Sequence, residues 1–391
     1  MQNIKIKIIL LLLTLGGAIA IGFFFFKKPA QPEAVVLNND PETLYTRTST
    51  SIIATTSNTP TTPHITSSAS TSRAKPVVTA PKPTTTPTPK PQPTSTPTPT
   101  PIPSPTPTPA PSSNGTYLAG CPIFPASNAW NQDISGLAVH ANSAVYINSI
   151  GASRTLHPDF GENPDYGIPY NIVSASQAKV PITFTDYGDE SDPGPYPIPA
   201  TAKIEDGGDS HLLVVQTGEC KLYELFGASK NNQGGWNAAS GAVFNLNSNA
   251  LRPEGWTSTD AAGLPVLPGL VRYDEVAAGK ITHAIRFTAP RTQNGYIHPA
   301  THQAGSNNSS LPPMGLRLRL KANYDTSGFT GQAKVIVEAM KKYGIILADS
   351  GSAWYFQGAP DSRWNDDNLN QLKQVPGSAF EAVNTGAIIK D

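Results

Sequence analysis

The chain has few of the residues that staple small domains: its 391 residues include only two cysteines and three methionines. Two cysteines, Cys121 and Cys220, exclude a disulfide-dense scaffold and provide no C-x-x-C pair for a structural zinc. Charged residues are also scarce, at 14% of the total, and they sum to zero. That zero averages two unlike parts. Before Asn114 stand 9 Lys/Arg against 3 Asp/Glu, and from Asn114 onward 19 against 25. The second part is mildly acidic, which argues against the basic face that a nucleic-acid partner requires. Alternation of strand and helix patterns is missing too, so a parallel sheet is not expected.

Only one apolar run is long. Ile8 to Phe26 follows Lys5 and Lys7 and is closed by Lys27 and Lys28. Nineteen helical residues reach roughly 28 Å, close to the ~30 Å hydrocarbon core of a bilayer. Ala18-Ile19-Ala20 resembles a small-residue cleavage site and leaves a cleaved signal peptide as the competing reading. The apolar run continues past it to Phe26, which favours an uncleaved signal anchor over residues 1–28. Such an anchor places the chain in the cell membrane, single-pass, with everything after Lys28 extracellular.

Proline is plentiful by contrast: 39 residues, 20 of them before position 114. From Pro41 to Ser113, 18 Pro, 22 Thr and 11 Ser make up 51 of 73 residues. These types bury too little apolar surface to offset chain entropy, so residues 29–113 read as a disordered linker. Thr-Pro repeats from Thr84 to Pro111 favour polyproline II, a stalk on the order of 80 Å at about 3.1 Å per residue. Its hydroxyls suit O-glycans, and an unmodified spacer fits equally well.

Residues 114–391 show short apolar alternation punctuated by Gly, Pro, Asn and Asp. That pattern predicts a mainly β domain, a β-sandwich or related barrel with short C-terminal helices. His211 to Val215 and Cys220 to Phe226 read as a hairpin with Thr217-Gly218 at its tip. Ile281 to Phe287 and Leu316 to Lys321 alternate strictly, and Val180 to Phe184 and Ala242 to Leu246 are further strands. Helices are expected only late, over Gln332 to Tyr343 with Gly344 as the stop, and between Asn365 and Pro376. In an oxidising compartment Cys121 and Cys220 are expected to pair.

The segments Leu156-His-Pro-Asp-Phe-Gly161, Glu190-Ser-Asp-Pro-Gly-Pro-Tyr-Pro-Ile-Pro199, Trp256 to Glu275, Ile281 to Thr288 and Met314 to Lys321 resemble a family of uncharacterised secreted bacterial proteins. The resemblance spans nearly all of Gly120 to Glu381 and implies one intact domain. It implies no activity and no catalytic residues.

Candidate chemistry therefore comes from the residues alone. Period two places Glu224 with Leu222 and Phe226, and His283 with Ile281, Ile285 and Phe287. A buried acid and a buried base are candidates for one pocket, with Asp260, Asp274 or Glu275 as the second carboxylate of a glycosidase pair. The alternative is that both are satisfied core groups. Asp186, Asp189, Glu190 and Asp192 crowd a Gly/Pro loop, where Ca²⁺ or simple solvation are the two readings; no cofactor is required. His298 and His302 are four apart, a weak zinc pair because Pro299 intervenes. Trp236 and Trp256, with Arg286, are candidates for stacking and binding sugar. Together these predict an envelope-anchored domain that binds or cleaves polysaccharide, as a glycoside hydrolase or lyase if an enzyme. The alternative is a non-catalytic adhesion or envelope-structural module.

Overall fold

The computed structural model describes residues 116–390; the expected anchor and linker lie outside them. Among the described residues no helix is long and apolar enough to cross a membrane. They are mainly β with short helices, as expected.

Two sheets dominate. A six-stranded sheet runs in the order Phe380–Ala382, Arg317–Leu320, Ile345–Ser350, Ile285–Ala289, Tyr355–Gln357 and His157–Asp159. A four-stranded sheet runs Ser240–Asn245, Lys221–Phe226, Leu212–Gln216 and Tyr170–Val173. Leu212–Gln216 is buried along its whole length, because alternate side chains enter different cores. Leu213 and Val215 join Leu222, Ala242 and Phe244 in the main core with the six-stranded sheet. Leu212 and Val214 join Tyr223, Leu225, Trp236 and Ala238 in a smaller one. A three-stranded sheet of Ile182–Phe184, Trp236–Ala238 and Ser229–Lys230 contributes to that second core.

The hairpin forms as expected, with Gln216 opposite Lys221 and Gly218 at a positive φ of 86° in the connection. The same connection carries the disulfide, which joins Cys220 to Cys121 across 99 residues. The late helices also form. Gly331–Lys342 buries Ala333, Ile336, Val337 and Met340 and stops at Gly344. There φ is +70°, and a Cβ would stand 2.2 Å from the Leu318 carbonyl. Asn365 caps Asp366–Leu369 by accepting from the Asn368 amide.

Three expectations are corrected. The sheets are mixed: Ile285–Ala289 lies parallel to Ile345–Ser350, and Tyr170–Val173 parallel to Leu212–Gln216. Helices are not confined to the end, since Ser143–Ile150 and Tyr273–Ala277 precede it. The strand expected over Ile281 to Phe287 starts only at Ile285, which leaves His283 in the approach to it. Arg317 and Arg319, on the strand face opposite the leucines, are buried as well. Arg319 pairs with Glu381, whereas Arg317 donates to the Ala129, Gln132 and Tyr343 carbonyls.

Candidate functional site

Residues 257–261 form a buried loop on which charged side chains of both large sheets converge. The loop is first tied by its own hydroxyls. Ser258 Oγ donates to the Leu264 carbonyl at 2.5 Å and accepts from the Asp260 amide at 2.9 Å. Ser240 Oγ donates to the Ser258 carbonyl at 2.7 Å. The charges then attach. Thr259 Oγ1 donates to Glu224 at 3.0 Å, and the Thr259 carbonyl accepts from His211 Nε2 at 3.0 Å. Asp260, with no exposed side-chain surface, takes both Nε and Nη2 of Arg286. Burial pushes the Asp260 carboxyl up, and the bidentate guanidinium opposes that by favouring the charged form.

Beside this loop lies a cleft of about 170 Å³ whose wall includes Asp260, Asp349, His302, Tyr187 and Phe226. Asp349 stands on Ile345–Ser350 opposite Thr288, just past an irregularity in the parallel pairing that carries Arg286 on the neighbouring strand. Burial, with the Asp260 charge close by, raises its pKa from 3.8 to about 7. Two neighbouring carboxyls thus differ in role: Asp260 is committed to Arg286, and Asp349 keeps its proton near neutrality. His302 completes the set. Its Nδ1 lies 2.7 Å from the Ala261 carbonyl, which can only accept. Nδ1 therefore carries a proton, and in the neutral ring Nε2 holds the lone pair.

The expected pairing of Glu224 with His283 is not found. Glu224 is fully buried and is raised by desolvation, against the Leu267 and Val266 amides and the Thr259 hydroxyl that it accepts from. It caps the tight turn Leu267–Gly269. His283 belongs to another network, with Nδ1 against the Ala284 carbonyl at 2.7 Å and Nε2 against Glu275 at 3.2 Å. Asp274 is exposed and pairs with Arg363. Arg286 is buried against Asp260 and offers no free fork to a ligand. Trp236 is 4% exposed, so its ring fills the smaller core instead of stacking on sugar; Trp256 stays half-buried under the Arg252 guanidinium.

The acidic loop braces its neighbours. Asp192 binds Arg252 at 2.5 Å and the Val243 amide at 2.9 Å, Glu190 accepts from the Thr257 amide, and Asp186 from Thr185. Asp189 points away into solvent. Among the described residues no group of three or more His, Cys, Asp or Glu side chains is placed to hold a metal. His298 and His302 likewise part company, with His298 bound to Glu254 at 2.7 Å.

Sequence reasoning overlooked Asp349, although its signal was there: the apolar run Ile345-Ile-Leu-Ala348 ends directly on a carboxylate. It also overlooked His211 and Glu205, whose pairing at 2.5 Å crosses a loop. No family model matches the chain, and no curated protein or solved structure matches it either.

The buried charges set a pH dependence of stability. Burial lowers the His211 pKa, but the Glu205 carboxylate more than offsets this and raises it from 6.5 to about 9. The fold therefore holds this proton more tightly than the unfolded chain. Its contribution is complete below 6.5 and is lost as pH rises through about 9. A shift of that size corresponds to about 2 to 4 kcal/mol, or a fall in the thermal midpoint of roughly 5 to 12 °C. Asp349 acts in the same direction at lower pH: a raised carboxyl stabilises below 3.8, and that stabilisation is lost as pH rises through about 7. Calorimetric scans at pH 6.5 and 9.5 should show the first decline, with His211→Gln flattening it. Equal midpoints at the two pH values would contradict the assignment.

Proposed function

We propose that the cleft is the active site of a hydrolase acting on polysaccharide, carried outside the cell on the membrane anchor and Pro/Thr stalk read from the sequence. In this reading the two sheets that share the main core are a sandwich-like body. The observation that supports it is the juxtaposition, in one cleft, of Asp349 with a pKa of about 7 and His302 with its Nδ1 tied to a backbone carbonyl. A protonated carboxyl donates to a departing glycosidic oxygen, and the His302 Nε2 lone pair takes a proton from the attacking water. The surrounding charge favours hydrolysis over elimination. With Asp349 protonated, Glu205, Glu224 and Asp260 still outnumber Arg286 and His211, which suits the positive charge that develops on a sugar ring and opposes the carbanion of a lyase. The exposed face of Tyr187 gives a sugar a ring to pack on.

Asp349→Asn keeps shape but cannot donate the acidic proton. Release of reducing ends from cell-wall polysaccharide, or of nitrophenol from chromogenic glycosides, should fall at least ~100-fold, with a smaller loss for His302→Gln. Activity unchanged in both variants would remove the cleft from consideration as the active site.

A further inference from the structure

Behind the cleft wall, His211 makes two contacts that a neutral ring cannot keep together. Its Nδ1 lies 2.5 Å from Glu205 Oε2, and its Nε2 lies 3.0 Å from the Thr259 carbonyl. The His211 amide also donates to Glu205 Oε2, at 3.1 Å. A carboxylate and a carbonyl both accept only, so both ring nitrogens must donate, and the ring is an imidazolium. On losing a proton, the ring keeps N–H toward the stronger acceptor, the carboxylate. Nε2 then turns a lone pair on the Thr259 carbonyl, and attraction becomes repulsion.

We propose that His211 is a positioning residue for the cleft: clamped between Glu205 and the Thr259 carbonyl, it holds residues 257–261 in place, and loss of its proton releases them. The released segment carries Asp260, whose charge acts on Asp349, and Ala261, whose carbonyl orients His302. Deprotonation thus reaches both groups of the cleft without His211 touching a substrate. The charged groups around the imidazolium are Glu205, Asp260, Glu224, Asp349 and Arg286, and the Phe226 ring lies 5.6 Å away. The four acids favour its proton, and Arg286 opposes it.

The inference rests on the proposed function for its catalytic meaning, so the experiment separates the two. The full chain, labelled with ¹⁵N-histidine and ¹⁵N-threonine, is titrated by NMR from pH 7 to 10. The expected result is a His211 ring titration with a midpoint at about 9, followed at the same midpoint by the Thr257 and Thr259 amides. His211→Gln should abolish that inflection in both threonines. Threonine amides that stay flat while the ring titrates overturn the inference, and so does an inflection that survives in His211→Gln. If the variant does not fold, the native titration decides alone. Chromogenic glycosides are assayed in parallel. A loop that titrates in a chain with no turnover at any pH supports the inference and overturns the hydrolase reading; turnover that falls as pH rises through about 7, with a loop that stays silent to pH 10, overturns the inference and keeps the reading.

Discussion

Arg286→Met should lower the thermal midpoint at pH 7 by roughly 10 °C. The substitution leaves the Asp260 carboxyl with no exposed surface and no hydrogen-bonded counter-charge, only the field of His211. Removing one member of a buried pair costs about 3 to 5 kcal/mol, because the remaining ion keeps its desolvation penalty without its Coulombic return. Asp260 escapes by taking up a proton, so the deficit should shrink at pH 5. Asp260→Asn combined with Arg286→Met removes both charges and should recover most of the loss. Thermal unfolding of the two single variants and the double variant measures the coupling. A double variant as unstable as Arg286→Met alone would mean that the guanidinium contributes packing instead of charge.

Reduction, or Cys121→Ser with Cys220→Ser, should have the other large effect. The bond closes a loop of 99 residues. In the chain-entropy model a loop of that length stabilises by about 4 to 5 kcal/mol, a shift of roughly 10 °C or more. Unfolding with and without a reductant, on native and doubly substituted chains, is the test. The substituted chain should be indifferent to reductant and should match the reduced native chain. A midpoint within a degree or two of the oxidised form would show that the loop is already constrained by the sheets it spans.

Local pattern carried the sequence reading far in some places. Alternation marked both hairpin strands, Gly344 marked a helix end, and Asn365 opened the last helix. The burial of Glu224 also followed from period two, because Leu222 and Glu224 share a strand face. Its partners did not follow. They are amides 42 and 43 residues away, on a turn whose Pro268-Gly269 signal is plain but says nothing of which side chain will meet it. His283 failed for a nearer reason: strict alternation from Ile281 was read as strand, but hydrogen bonding begins at Ile285. The cleft depends on the parallel pairing of Ile285–Ala289 with Ile345–Ser350, which brings together residues some 60 positions apart. Such a register is written in the complementarity of two surfaces, not in either segment, and neither hydrophobic period nor turn chemistry encodes it.

The disulfide also determines how the domain bears a load. Cys121 lies five residues after Thr116, where the described chain begins. A pull on the amino-terminal end can therefore peel off only about 18 Å of extended backbone, at 3.3 to 3.6 Å per residue, before the chain goes taut. From there tension crosses the covalent bond to Cys220, directly ahead of Lys221–Phe226. That strand is held by ladders on both sides, to Leu212–Gln216 and to Ser240–Asn245. Force that would otherwise unravel the domain from its end is delivered to an interior strand, where two rows of hydrogen bonds must yield together. Resistance to extraction then follows the unfolding rate of the whole sheet instead of the fraying of a terminus.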